Sequence, residues 1–124
     1  VKCDIWIPAA RPDVLTENNV DQLKAKLVIH GANIPATETA EQLMHERGIL
    51  NIPDFIANAG GVICAAVEFG GGSESQVMDT IEEKIRTNTL ETLERSKKEN
   101  LSPREAGVKM AFSRIKKAMT DHDT

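Results

Sequence analysis

The chain of 124 residues carries a formal net charge of −4, with 40% hydrophobic and 27% charged content, a balance that suits one compact domain with its own core. No Lys/Arg stripe is present, and one Trp, three Phe and no Tyr leave few platforms for stacking bases, which argues against a nucleic-acid partner. No apolar run reaches the roughly 20 residues that span a bilayer and no charged-then-apolar leader opens the chain, so a cytoplasmic protein with no membrane partner is expected.

Val1 opens directly onto Cys3-Asp4-Ile5-Trp6-Ile7, which reads as a strand that Pro8 stops, so the chain is expected to begin mid-fold. After the loop Ala9-Ala10-Arg11-Pro12, Thr16 is placed to cap a short helix through Leu23, with Lys24 and Lys26 near its C-terminal end. Leu27-Val28-Ile29 then predicts a parallel strand buried on both faces. Thr37 caps a helix over 38–47 that Gly48 closes from the C′ position, and Ile49-Leu50-Asn51-Ile52 predicts the third strand. The apolar run 51–57 is expected to end where Gly60-Gly61 open the helix that follows. Gly70-Gly71-Gly72 mark a flexible joint before a long helix over 74–98, striped by Val77, Met78, Ile81, Ile85, Thr89 and Leu93. Asn100 breaks that helix, and Ser102-Pro103 start another, striped by Val108, Ala111, Phe112, Ile115 and Met119, with fraying expected over 121–124. Met44, Met78, Met110 and Met119 fall at apolar helix positions where methionine fills core gaps.

Strands alternating with helices over short links predict an α/β fold with an open parallel sheet. Ligands collect at the carboxyl ends of strands in such sheets. Ala9-Ala10, Asn33 and Asn58 each follow a strand, so pattern alone predicts that they share one edge. Each has a plain structural reading as well: a loop Asn that bonds its own backbone, an Asn that caps a helix, a glycine pair that only turns the chain. Cys3 and Cys64 lack a Cys-x-x-Cys partner, and His30, His45 and His122 share no ligand spacing. Neither a disulfide framework nor a metal site is expected; the thiols should be reduced and mostly buried, and His30 a satisfied structural or exposed residue.

Three ordered stretches carry a more specific resemblance. Asn58-Ala59-Gly60-Gly61-Val62 after Pro53-Asp54-Phe55, together with Ile7-Pro8-Ala9-Ala10 and Gly31-Ala32-Asn33-Ile34-Pro35, resemble the glutamate, leucine, phenylalanine and valine dehydrogenase family. The resemblance implies the C-terminal half of a Rossmann-like doubly wound parallel sheet followed by two long C-terminal helices. It divides the chain into a partial dinucleotide-binding domain over 1–69 and a helical segment over 70–124. It also implies NAD or NADP as cofactor, with Ala9, Ala10, Asn33 and Asn58 near it. Asn58, Gly61, Val62 and Ala65 would face the amino-acid substrate.

Ala65 departs from the glutamate-type members, which place Ser there to bond the substrate's side-chain carboxylate. Ala9-Ala10 and Pro35-Ala36-Thr37 are nevertheless more glutamate-like than leucine-like. Glutamate is the expected substrate, a leucine, valine or phenylalanine type the alternative, and a non-catalytic nucleotide-binding or assembly module the competing class. No Gly-x-Gly-x-x-Gly turn occurs, and the family's catalytic Lys and Asp segments have no match. The expectation is therefore a fragment of a homo-oligomeric enzyme, with no catalytic residue of its own and no activity in isolation.

Overall fold

The computed structural model describes residues 1–122. Three short strands, β1 (Ile5–Trp6), β2 (Leu27–Ile29) and β3 (Leu50–Ile52), form a parallel sheet in the order β1-β2-β3. Ile5 pairs with Leu27, and Val28 pairs with Asn51. Helix α1 (Glu38–Glu46) links β2 to β3, and α2 (Asp54–Ala57), α3 (Gly60–Phe69), α4 (Glu74–Glu99) and α5 (Pro103–His122) follow. The chain is α/β, as the alternation predicts.

Residues of β2 alternate between two cores, the period of a strand covered on both faces. Val28 packs with Leu15, Val20, Ala40 and Met44 on the α1 side. Leu27 and Ile29 turn the other way, towards Ile52, Ile56, Met110 and Leu93. Residues of α4 and α5 thus return to cover the sheet's second face.

Several local expectations change. The helix expected from Thr16 is only a 3-10 turn, Val20–Gln22. Asn19 explains this: its Oδ1 accepts the Thr16 N–H at 2.9 Å and its Nδ2 donates to the Val14 carbonyl at 3.0 Å, bonds that compete with helix formation. Lys26, expected at that helix's end, pairs with Asp4 instead. The first strand is shorter than 3–7 because at each end a carbonyl takes two successive donors, Asp4 from Lys26 and Leu27 and Pro8 from Gly31 and Ala32, which breaks the regular ladder. The run 51–57 does not extend β3; Pro53 leaves the strand in an N-cap position and Asp54–Ala57 coil into α2.

The glycine joint is a closed turn. Gly71 sits at φ +81°, a Cβ at Gly72 would collide with Val67, and the Gly70, Gly71 and Gly72 N–H groups bond back to Ala66, Glu68 and Val67. Ser73 and Gln76 then form a reciprocal capping box that starts α4, and Asn100, at φ +53°, ends it.

The second stripe is mostly uncovered. Met44 and Met110 are buried, whereas Met78, Phe112, Ile115 and Met119 are exposed. A 20-residue helix runs about 30 Å and a three-residue strand about 10 Å, so α5 outruns the sheet it packs on. Part of the expected fraying, at Asp123 and Thr124, lies outside the described residues; α5 continues through His122. Cys3 and Cys64 are free and half-buried. No helix among the described residues is long and apolar enough to cross a membrane.

Candidate functional site

A groove of about 650 Å³ lies beyond the carboxyl ends of the strands. Three loops build it: Ala9-Ala10-Arg11-Pro12 after β1, Gly31-Ala32-Asn33 after β2, and Asn58 with Gly61 and Val62 at the start of α3. The first two loops nearly touch. A Cβ on Gly31 would lie 3.0 Å from the Ala9 Cβ and 3.3 Å from the Ile7 Cγ2, so only glycine lets them meet without a shift.

The third loop is tied in by its amide. Asn58 Nδ2 donates to Asn33 Oδ1 at 2.6 Å and lies 3.4 Å from the Gly31 carbonyl oxygen. Two oxygens around one nitrogen fix the amide's orientation, which leaves Asn33 Nδ2 as a donor and Asn58 Oδ1 as an acceptor beside the groove. Ala59 precedes α3 without a side-chain cap, so first-turn N–H groups remain free for a ligand. Gly61 has no atom within 4 Å of the Cβ it lacks. The fold does not require glycine there, although glycine in a helix costs about 1 kcal/mol relative to alanine.

The turn at Asn33 is strained and braced. Ile34, a β-branched residue, sits at φ +50°, where such side chains are rare. Its N–H donates to Asp54 Oδ2 at 2.9 Å and its carbonyl accepts the Asp13 N–H at 2.9 Å. Leu15 bridges to Ala36 in parallel on the far side. Asp54 Oδ1 in turn accepts Arg104 Nη2 at 2.9 Å, and Arg104 grips Glu41 with two bonds of 2.6 and 2.7 Å. Burial pushes the Asp54 carboxyl up, but the Ile34 N–H and the Arg104 guanidinium outweigh it and hold the group below its ordinary value.

His30 lies behind this cluster, fully buried, its Nδ1 3.8 Å from Glu41 and neither ring nitrogen in a hydrogen bond. Burial lowers its pKa; Glu41 acts in the opposite direction without restoring it, while Arg104 lowers it further. The histidine is thus buried rather than exposed, with the Glu41 carboxylate just beyond hydrogen-bond distance.

The structure brings Ala9, Ala10, Asn33, Asn58, Gly61 and Val62 together on one groove. Ala65 is exposed one turn further along α3, on the face of Gly61 and Val62 but outside the groove's lining. Arg11 and the Asp54–Arg104 pair escaped the sequence reading. Arg11 had the signal of a cation in a loop bounded by Pro8 and Pro12. Asp54 lies inside the apolar run 51–57, and its partner Arg104 is fifty residues further along the chain. Arg11 is the single charged residue lining the groove among the described residues. No cluster of three or more metal-ligating side chains occurs among the described residues.

A family model described as Glutamate/Leucine/Phenylalanine/Valine dehydrogenase matches residues 1–123. A glutamate dehydrogenase of Aeropyrum pernix is 36% identical over 126 residues, covering 94% of this chain and 30% of its own length. An NADP-specific glutamate dehydrogenase of Saccharolobus shibatae is 43% identical over 82 residues, covering 66% of this chain and 19% of its own length. The crystal structure of L-tryptophan dehydrogenase from Nostoc punctiforme aligns with a TM-score of 0.86 at 26% identity, covering 94% of this chain and 36% of that one. The chain spans less than a third of the two curated relatives, and over that span the family model accounts for nearly all of it. This chain belongs to the glutamate/leucine/phenylalanine/valine dehydrogenase family.

Proposed function

We propose that this chain is one portion of an amino-acid dehydrogenase that uses NAD or NADP to deaminate an L-amino acid oxidatively, with glutamate as the substrate. The observation that carries the reading is the Asn58–Asn33 bond across a groove at the strand ends, beside a glycine the fold does not need. Asn33 Nδ2 and Asn58 Oδ1 offer a donor and an acceptor side by side, the pair a carboxamide requires, and unbonded N–H groups of α3 suit a carboxylate. Those features fit a nicotinamide and an amino acid meeting over Gly61. When bound, the nicotinamide supplies hydride acceptance; the residues of this chain orient it.

Residues 1–69 act in this reading as part of the dinucleotide-binding domain, and 70–124 as a helical segment folded back onto it through Leu93 and Met110. Identities of 36% and 43% to two glutamate dehydrogenases favour glutamate, while Ala65 keeps an aliphatic or aromatic substrate as the second reading. The 124-residue chain alone is inactive, because among the described residues no carboxylate, histidine, lysine or cysteine lines its groove to serve as acid or base. The parent enzyme is a homo-oligomer. Amino-acid-dependent reduction of NAD and NADP by the full-length protein tests the proposal. Turnover with glutamate supports it; no turnover with glutamate, leucine, valine or phenylalanine rejects it.

A further inference from the structure

We infer that Asp54, clamped by Arg104, is a positioning residue that sets the spacing of Asn33 and Asn58. The inference rests on the functional reading above for its consequence, and on geometry alone for its cause. Asp54 reaches both amides by separate routes. Through its side chain it holds the Ile34 N–H at 2.9 Å, the residue directly after Asn33, in a left-handed conformation that isoleucine disfavours. Through its backbone carbonyl it accepts the Asn58 N–H at 2.8 Å and so ends α2 at the residue that enters the groove. One residue therefore fixes both ends of the 2.6 Å Asn58–Asn33 bond.

Arg104 fixes Asp54. Its Nη2 is shared between Asp54 Oδ1 and Glu41 Oε1, its Nε bonds Glu41 Oε2, and its guanidinium lies over the Phe55 ring at 5.4 Å. Bidentate geometry and ring stacking both need the planar fork of arginine, which lysine lacks. Arg104 stands in the first turn of α5, which Ser102 and Glu105 cap reciprocally, so its backbone is anchored independently of the groove. The start of α5 thus braces the Asn33 turn without lining the groove.

The test has two arms. In the 124-residue chain, nitrogen-15 NMR follows hydrogen exchange at the Ile34 amide and the Asn58 side-chain amide. Asp54→Ala should speed both by roughly tenfold or more, the worth of a hydrogen bond to a charged acceptor, while the His30 N–H bonded to Ile52 keeps its protection. Should Asp54→Ala not fold, Arg104→Lys gives the same readout at a half-exposed site. In the full-length protein, Asp54→Ala and Arg104→Lys should raise the KM for dinucleotide more than they lower kcat, and Asp54→Glu should recover part of the loss. Unchanged exchange at both amides in Asp54→Ala or Arg104→Lys overturns the inference. So does an unchanged KM in both variants when Asn33→Ala and Asn58→Ala raise it. If those two asparagine variants leave KM unchanged, the functional reading fails instead, and the exchange arm still decides the geometry.

Discussion

Gly61 separates what folding needs from what binding needs. Nothing lies near its missing Cβ, so Gly61→Ala should stabilise the chain by about 0.5–1 kcal/mol through helix propensity, a rise of a few degrees in Tm. In the full-length enzyme the same methyl enters the groove and should lower kcat/KM by roughly tenfold or more. A higher Tm with unchanged kinetics would mean that no ligand approaches Gly61. Ala65 makes the complementary case. It is exposed one turn beyond Val62, so Ala65→Ser should barely alter Tm yet shift relative kcat/KM from an aliphatic amino acid towards glutamate by roughly tenfold or more, as a hydroxyl bonding a carboxylate would. An unchanged ratio would remove Ala65 from the substrate's reach. Asn33, Asn58 and Gly61 were legible in the sequence because each sits in a short motif directly after a strand. Asp54 and Arg104 were not, because their roles depend on a contact fifty residues apart that no local pattern encodes.

At the scale of elements, the punctuated helices were readable: Thr37 caps α1 by accepting the Ala40 N–H, Gly48 closes it at φ +71°, and Ser73 and Asn100 bound α4. The failures arose where side chains compete for the backbone, as Asn19 does, or where a proline starts a helix inside an apolar run, as Pro53 does. The cluster joining α1, α2 and α5 also makes these elements pH-sensitive. Burial holds the pKa of His30 below its ordinary 6.5, so the unfolded chain binds more protons as pH falls. Its contribution to stability is complete above 6.5 and declines below that value. Asp54 has a carboxyl held below 3.8 despite burial, by Ile34 and Arg104, so its contribution is complete above 3.8 and is lost at lower pH. Tm plotted against pH should fall in two stages. His30→Leu should flatten the upper stage, since it removes the imidazole whose protonation burial disfavours. An identical decline below 6.5 in His30→Leu would assign that limb to other groups.

The whole molecule leaves two surfaces that favour association. β1 pairs on one side only, with Ile5 and Ile7 more than half exposed, and α5 presents Phe112, Ile115 and Met119 at 69%, 57% and 65% exposure. Sedimentation of the 124-residue chain should show mass increasing with concentration, and Phe112→Glu should reduce the increase; a monomer at every concentration would contradict this. The sheet and its parallel order follow from strand–helix alternation, whereas the uncovered length of α5 depends on strand lengths that the sequence overstates. The most direct test of a functional groove is a double-mutant cycle on kcat/KM in the full-length protein, using Asn33→Ala, Asn58→Ala and the pair. Two amides joined by a 2.6 Å bond should act as a unit, each single variant losing roughly tenfold or more and the pair losing far less than the product. Single variants that keep wild-type kcat/KM would contradict the assignment of this groove.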